Sequence, residues 1–358
     1  MKKLAEQEGS PAVAIWVFTG VVMLVIQVLL GGITRLTGSG LSITEWDVIT
    51  GALPPLSNQQ WMAEFDKYRN TPQFHLLHSY FTLSDFKFIF FWEWLHRIWA
   101  RLVAVVFIVG FIYLVWKNKM KQWMILPLAA LFLIGALQGA VGWIMVASGL
   151  TGDAIYVKPT RLAIHFVLAL GLISSAFWIA LSWWGIPKER RFRCPGLRNW
   201  TVLIIIFIFL QFLFGALMAG NKAASAAPTW PTINGDWLPS SLWIRKPFLM
   251  NFIENLITIQ FIHRGLAYLI FLLVLIWTIK ASGVKKIRQI PLLLTLIQVG
   301  FGICAVLISG GITANHWGAF EWIALLHQFI GMIMLLSMIY MYFLLGPSPS
   351  IDGSGIQV

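Results

Sequence analysis

The chain is 358 residues long, 58% hydrophobic and only 11% charged, with a mean hydropathy of +0.78; it has too little polar surface to coat a water-soluble globule of that length and belongs in a membrane. The formal charge of +12 does not mark a nucleic-acid binder, because the basic residues are dealt out between apolar segments and not gathered on one soluble face. Two cysteines, Cys194 and Cys304, fall on different segments, which argues against a disulfide framework and against a thiolate metal site.

A spanning helix needs roughly 20 apolar residues. Such stretches fall near 12–33, 89–116, 124–147, 161–184, 200–220, 257–279, 290–309 and 322–345, which predicts an all-α integral membrane protein with eight transmembrane helices. The first follows Lys2 and Lys3 and lacks a small-residue cleavage site, so it reads as a retained helix and not a signal peptide. Lys117, Lys119 and Lys121 separate the second and third spans. Lys188, Arg190, Arg191, Arg193 and Arg198 separate the fourth and fifth, and Lys280, Lys285, Lys286 and Arg288 the sixth and seventh. The positive-inside rule puts these loops and both termini in the cytoplasm. The loop from Thr34 to Lys87 is nearly neutral, with Glu45, Asp47, Glu64, Asp66 and Asp85 against Arg35, Lys67, Arg69 and Lys87. Its turn-rich stretch 38–55, and a second at 227–243, predict ordered caps on the outer face.

The spans repeat. Residues around His96 (EWLHRIWARL) parallel those around His263 (IQFIHRGLAYL), and residues around His165 (LAIHFVLALGL) parallel those around His327 (ALLHQFIGMI). The first, third, fifth and seventh spans each carry Gln followed four residues later by Gly: Gln27/Gly31, Gln138/Gly142, Gln211/Gly215 and Gln298/Gly302. The sequence therefore predicts two pseudo-symmetric four-helix bundles, 1–185 and 199–358, joined by a basic cytoplasmic linker at 186–198. Glycines at these positions read either as small-residue packing faces or as sites of close approach by a planar cofactor, and a membrane Gln needs a hydrogen-bonding partner.

Seven histidines occur. His96, His165, His263 and His327 sit within about two turns of the predicted start of the second, fourth, sixth and eighth spans, at similar depth. One membrane histidine is commonly a satisfied core residue, but four at repeated positions point to ligation, since intramembrane ionisable groups are costly and usually functional. Neutral imidazole is an axial ligand of haem iron, and two per half fit two bis-histidine haems. His96 pairs most simply with His165 and His263 with His327, with cross-pairing left open. No cysteine accompanies them, which disfavours zinc. Arg97 and Arg264 follow their histidines and suit haem propionates, or else snorkel to lipid phosphates. His75, His78 and His316 read as surface or interfacial residues. The halves differ three residues before the histidine: Glu93 in the first, Gln260 in the second. A carboxyl one turn from the ligand, on its face of the helix, can exchange protons at the haem edge, which assigns chemistry to the first half and electron relay or structure to the second. The other reading of Glu93 is an ion pair with Arg97.

With TRLTGSGLS at 34–42, FKFIFFWEWLHRIWAR at 86–101 and QFIHRGLAY at 260–268, the sequence resembles the haem A synthase family in its proteobacterial and mitochondrial branch, over nearly the whole chain. The resemblance implies oxidation of a methyl group of haem O to a formyl group by successive hydroxylations, giving haem A for terminal cytochrome oxidases in the bacterial inner membrane. It implies the four histidines as iron ligands, Glu93 as essential, haem O as substrate in the first half and haem b as cofactor in the second. Partners would be a haem O synthase handing over substrate, a membrane electron donor and the lipid bilayer, with self-association left open. The cysteine pair that some members carry in the first outer loop is missing between Thr34 and Lys87. The competing readings are a dihaem b-type cytochrome that only carries electrons, which has no use for Glu93, and a haem transporter, which has no use for fixed bis-histidine ligation.

Overall fold

A computed structural model describes residues 9–46, 50–185, 192, 194–284, 286–312 and 317–346. Asp47, Lys188, Arg190, Arg191, Arg193, Lys285 and His316 lie outside the described residues. Nine α-helices and no strand are found among the described residues: α1 (Pro11–Leu36), α2 (Asn58–Arg69), α3 (Leu83–Trp116), α4 (Gln122–Ala147), α5 (Pro159–Trp184), α6 (Pro195–Gly220), α7 (Leu256–Lys280), α8 (Gln289–Ile308) and α9 (Ala319–Leu344). All but α2 are long and apolar enough to cross a membrane, so the eight predicted spans are present and the chain is a multi-pass membrane protein.

Local chemistry sets the ends. Pro11 and Pro159 open α1 and α5 in the first turn, where a missing N–H costs nothing. Ser57 and Gln60 form a capping box on α2, Thr82 and Asp85 another on α3, and the Asn255 side chain caps α7. Gly185 closes α5 at φ 82°, a left-handed conformation suited to glycine. At 34 residues, α3 is about 50 Å long against a hydrocarbon core of about 30 Å. Its first turns therefore project beyond the bundle, where Phe86, Ile89 and Phe90 form a cluster with Phe65 and Tyr68 of α2 and with Phe74. We call this the cap end; the lysine-bearing turns at Lys117 to Lys121 lie at the other.

α1 lies against α3 and α5, and α4 against α5; likewise α6 lies against α7 and α9, and α8 against α9. Contacts of α5 with α6 and α9, and of α1 with α9, join the two sets. One pairing is nearly absent from the first set. α7 packs along α8, whereas α3 and α4 scarcely meet outside the stacking of Phe107 on Phe132. The main core, which includes Leu170, Ile173, Trp183, Ile204, Trp277, Met332 and Leu335, fills the join.

Within that core the Trp277 indole N–H donates to Thr201 Oγ1 at 2.8 Å, and both side chains are fully buried. Thr201→Val keeps the shape but strands the N–H, at an expected cost of about 1–3 kcal/mol. Thermal unfolding in detergent should show a lower midpoint, and an unchanged midpoint contradicts this account of the core.

Candidate functional site

The two sequence repeats are one structural unit. Each Gln-x-x-x-Gly helix cradles the histidine of the spanning helix that follows: α1 holds His96 of α3, α4 holds His165 of α5, α6 holds His263 of α7, and α8 holds His327 of α9. A β-carbon added at Gly31, Gly142, Gly215 or Gly302 would approach the Cε1 of its histidine to 3.0, 2.8, 3.2 or 3.0 Å. Only glycine admits the ring there without displacing it. The glutamine, one turn away, supplies the polar partner. Gln27 Nε2 is 3.2 Å from both ring nitrogens of His96 and donates to its carbonyl at 3.1 Å. Gln138 Nε2 donates to the His165 carbonyl at 2.9 Å and lies 3.4 Å from the ring Nε2. Gln211 and Gln298 Nε2 lie 3.2 and 3.3 Å from Nε2 of His263 and His327.

His327 Nδ1 is 3.1 Å from the carbonyl oxygen of Gln298. A carbonyl only accepts, so Nδ1 carries the proton and Nε2 keeps its lone pair, the tautomer in which imidazole binds a metal. The polar inventory is incomplete: Nδ1 of His165 and His263 and Oε1 of all four glutamines are buried without partners. The histidines stand in pairs within each half. His263 and His327 have ring centroids 6.4 Å apart, and His96 lies within electrostatic reach of His165. Two metal–nitrogen bonds of about 2 Å, with the ring radii added, give a centroid separation of about 6 Å. No cluster of three or more His, Cys, Asp or Glu suited to a metal occurs among the described residues. Each pair thus offers two ligands, too few for a bare tetrahedral ion and the right number for the axial positions of a haem. His96 is deeper along its helix than the predicted two turns, because α3 begins at Leu83, where Asp85 and Lys87 mask the first turns from a hydropathy reading.

Glu93 is buried and already engaged. Its Oε1 accepts from Arg97 Nη2 at 2.6 Å, and its Oε2 accepts from Ser42 Oγ at 2.7 Å and the Ile43 N–H at 2.9 Å. Arg97 also donates to the carbonyls of Ile43 and Glu45 and sits over the Trp46 ring. The second half repeats the device. Arg264 donates to the carbonyls of Ala227, Thr229 and Thr232 and to Gln260 Oε1, while Gln260 Nε2 donates to the carbonyls of Ala223 and Ala224. In both halves the arginine after the histidine and the residue three before it latch the loop over the histidine pair. A carboxylate has about four acceptor sites; three bonds leave Glu93 one.

His75 is exposed, as the sequence suggests, but His78 is not a surface residue. It is 2% exposed, stacked on Phe81 and bonded through Nδ1 to Tyr68 Oη at 2.5 Å. Tyr68 donates onward to Gln73 Oε1, whose amide reaches the carbonyls of Gly38 and Ile155. Burial, and then the nearby Glu93 charge, push the Tyr68 phenol above its usual range. This clasp ties α2 to the loops after α1 and α4. The sequence reading missed α2, which the Ser57 to Gln60 capping-box spacing could have revealed; nothing in the sequence announced that it would bury a loop histidine. Arg35, in the last turn of α1, faces the Glu321 charge on α9 across the join between the halves.

A family model, COX15-CtaA, described as cytochrome oxidase assembly protein, matches residues 14–339. The chain belongs to this family. Proteins named heme A synthase match it over most of their length: 41% identical in Beijerinckia indica, covering 92% of this chain and 91% of the relative; 38% in Methylobacterium radiotolerans, covering 92% and 89%; and 37% in Paracoccus denitrificans, covering 92% and 86%. The COX15-CtaA match spans all four Gln–Gly–His units and both latches.

The latches differ in charge, and this should be measurable. Glu93→Ala leaves a largely buried guanidinium without its anion, at an expected cost of about 3–5 kcal/mol. Gln260→Ala removes a neutral partner, at about 1–3 kcal/mol. Equal losses in thermal midpoint for the two would contradict the charged reading.

Proposed function

We propose that this COX15-CtaA member is a haem A synthase that oxidises a methyl group of haem O to a formyl group. Support comes from the heme A synthase names of its relatives over most of the chain and from the paired neutral imidazoles, whose 6.4 Å separation in the second half suits one iron between them. In this reading His96 and His165 hold haem O as substrate in 1–185, and His263 and His327 hold a resident haem b in 199–358. The second haem supplies electron transfer. Arg97 and Arg264 keep guanidinium N–H groups beyond those spent on the loops, among them the buried Arg264 Nε, for haem propionates. The latched loops cover the pairs and limit water.

Glu93 is the residue in which the halves diverge. It lies one turn from His96 on the same helix face, with one acceptor site left, so it takes or returns a proton at the substrate's edge while Arg97 holds the carboxylate in place. Gln260 has no such proton to exchange. Lysines and arginines at the end opposite the cap assign that end to the cytoplasm, with both termini there and the histidine pairs near the outer face of the bacterial inner membrane. A membrane electron donor and a haem O synthase are the partners this chemistry requires.

Pyridine-haemochrome and chromatographic analysis of the purified protein, expressed with a haem O source, should show two haem sites per chain and haem A as product. Absence of haem excludes the proposal in favour of transport, and unconverted haem O favours a dihaem electron carrier. Glu93→Gln should keep the haem spectrum and stop haem A formation; a normal product yield removes Glu93 from the chemistry.

A further inference from the structure

Two neighbouring helices of the first half stand apart where their counterparts touch. α7 packs along α8, but α3 and α4 scarcely meet. Among the described residues their aromatic contact is one stack, Phe107 on Phe132, with ring centroids 6.0 Å apart and planes at 23°. In the register that pairs His96 with His263 and Gln138 with Gln298, these two positions are Val274 and Leu292. Val274 is fully buried and Leu292 packs on the main core. The second half thus closes with two aliphatic side chains, and the first half needs two rings to reach across the gap.

Both ends of the gap can be located. At the cap end a cavity of about 180 Å³ is lined by Arg97 of α3 and by Trp143 and Ala147 of α4. Arg97 follows His96, and Trp143 follows Gly142, which approaches His165, so this end lies at the histidine pair. At the other end stands the Phe107 and Phe132 stack. Phe132 and Trp143 are three turns apart on α4 and so share the face that meets α3 at both ends. The seam between them is about 16 Å long. Phe132 and Trp143 are 44% and 48% exposed, so it opens out of the bundle toward lipid.

The two walls are anchored separately. Phe107 also contacts Trp16 of α1, with centroids 5.0 Å apart. The Trp16 indole N–H donates to the Val106 carbonyl at 3.2 Å, which ties α3 to α1. α4 is tied to α5 by the cradle of His165. The stack therefore joins helices that different neighbours hold, and parting its rings breaks no hydrogen bond.

We propose that the α3–α4 seam is the passage by which a haem with an apolar tail moves between the lipid and the His96–His165 pair, with Phe107 on Phe132 closing its inner end. This rests on the assignment of haem O to the first half. Such a molecule matches the seam from end to end. Its carboxylates suit the Arg97 guanidinium at the cap end, and its apolar edge suits the remainder, whose walls are helices with their backbone polar groups already paired. The counterpart seam, packed shut at Val274 and Leu292, suits a haem that stays.

The test ties the seam. Phe107→Cys and Phe132→Cys, combined in a chain with Cys194→Ser and Cys304→Ser, are joined by a short cleavable thiol cross-linker. Full-length protein with its second site loaded with haem b is mixed with haem O, and uptake is followed by absorbance. Cross-linking should slow uptake about tenfold or more, and cleavage should restore it. Each single cysteine treated with the same reagent should take up haem O at the untied rate, with the second-site spectrum unchanged. Unchanged uptake in the tied protein overturns the proposal and leaves the seam to lipid acyl chains. A loss that cleavage does not reverse also overturns it, by showing a packing defect. Should the cysteine pair fail to fold, Phe132→Ala asks the same question by widening the inner end: uptake no faster than in the unsubstituted chain overturns the passage. Uptake is read apart from conversion, so a protein that takes up haem O through the seam and makes no haem A overturns the proposed function and leaves the passage standing.

Discussion

The molecule depends on the close approach of an imidazole ring to a glycine backbone inside the bilayer. A buried histidine needs a neighbour that leaves room for the ring and another that answers its nitrogens, because an unsatisfied polar group in hydrocarbon costs several kcal/mol. Gly and Gln one turn apart meet both needs from one helix, and using the unit four times pins every spanning helix to a partner: α1 to α3, α4 to α5, α6 to α7 and α8 to α9. Helix packing and histidine placement are thereby the same interaction. The fold cannot keep one and lose the other.

That coupling explains what could be read from the sequence and what could not. Hydropathy located the eight spans, because spanning helices must be apolar whatever their neighbours. It misjudged where α3 begins, because Asp85 and Lys87 belong to turns that leave the apolar layer. The Gln-x-x-x-Gly repeat and the histidine repeat were both visible, but their union was not. Sequence periodicity relates positions along one helix, and the contact of Gly142 with His165 relates two. His78 failed for the same reason. Its burial against Phe81 and Tyr68 exists only once α2 has folded onto the first turns of α3.

The two latches separate what a charge does from what a hydrogen bond does. Arg97 and Arg264 grip their loops through backbone carbonyls in the same manner, and Glu93 and Gln260 each offer an oxygen to the arginine. An amide is thus sufficient to hold a loop. A carboxylate held by Arg97, Ser42 and Ile43 carries the desolvation penalty of a buried ion pair without being needed for the latch, and such pairs are weak grounds for stability. In the proposed function, that excess is the group that exchanges protons beside His96.

Asymmetry between the sets of helices lies in the latch and in one seam. Glu93 lies on α3, which scarcely meets α4, while its counterpart Gln260 lies on α7, which packs along α8. In the proposed function, a neutral latch beside a closed seam suits a haem that stays, and a charged latch beside an open seam suits a substrate that must enter, react and leave. On that reading, closing α3 onto α4 would improve packing but hinder a substrate that passes between the helices. The open seam lies in the half whose histidines have the carboxylate beside them.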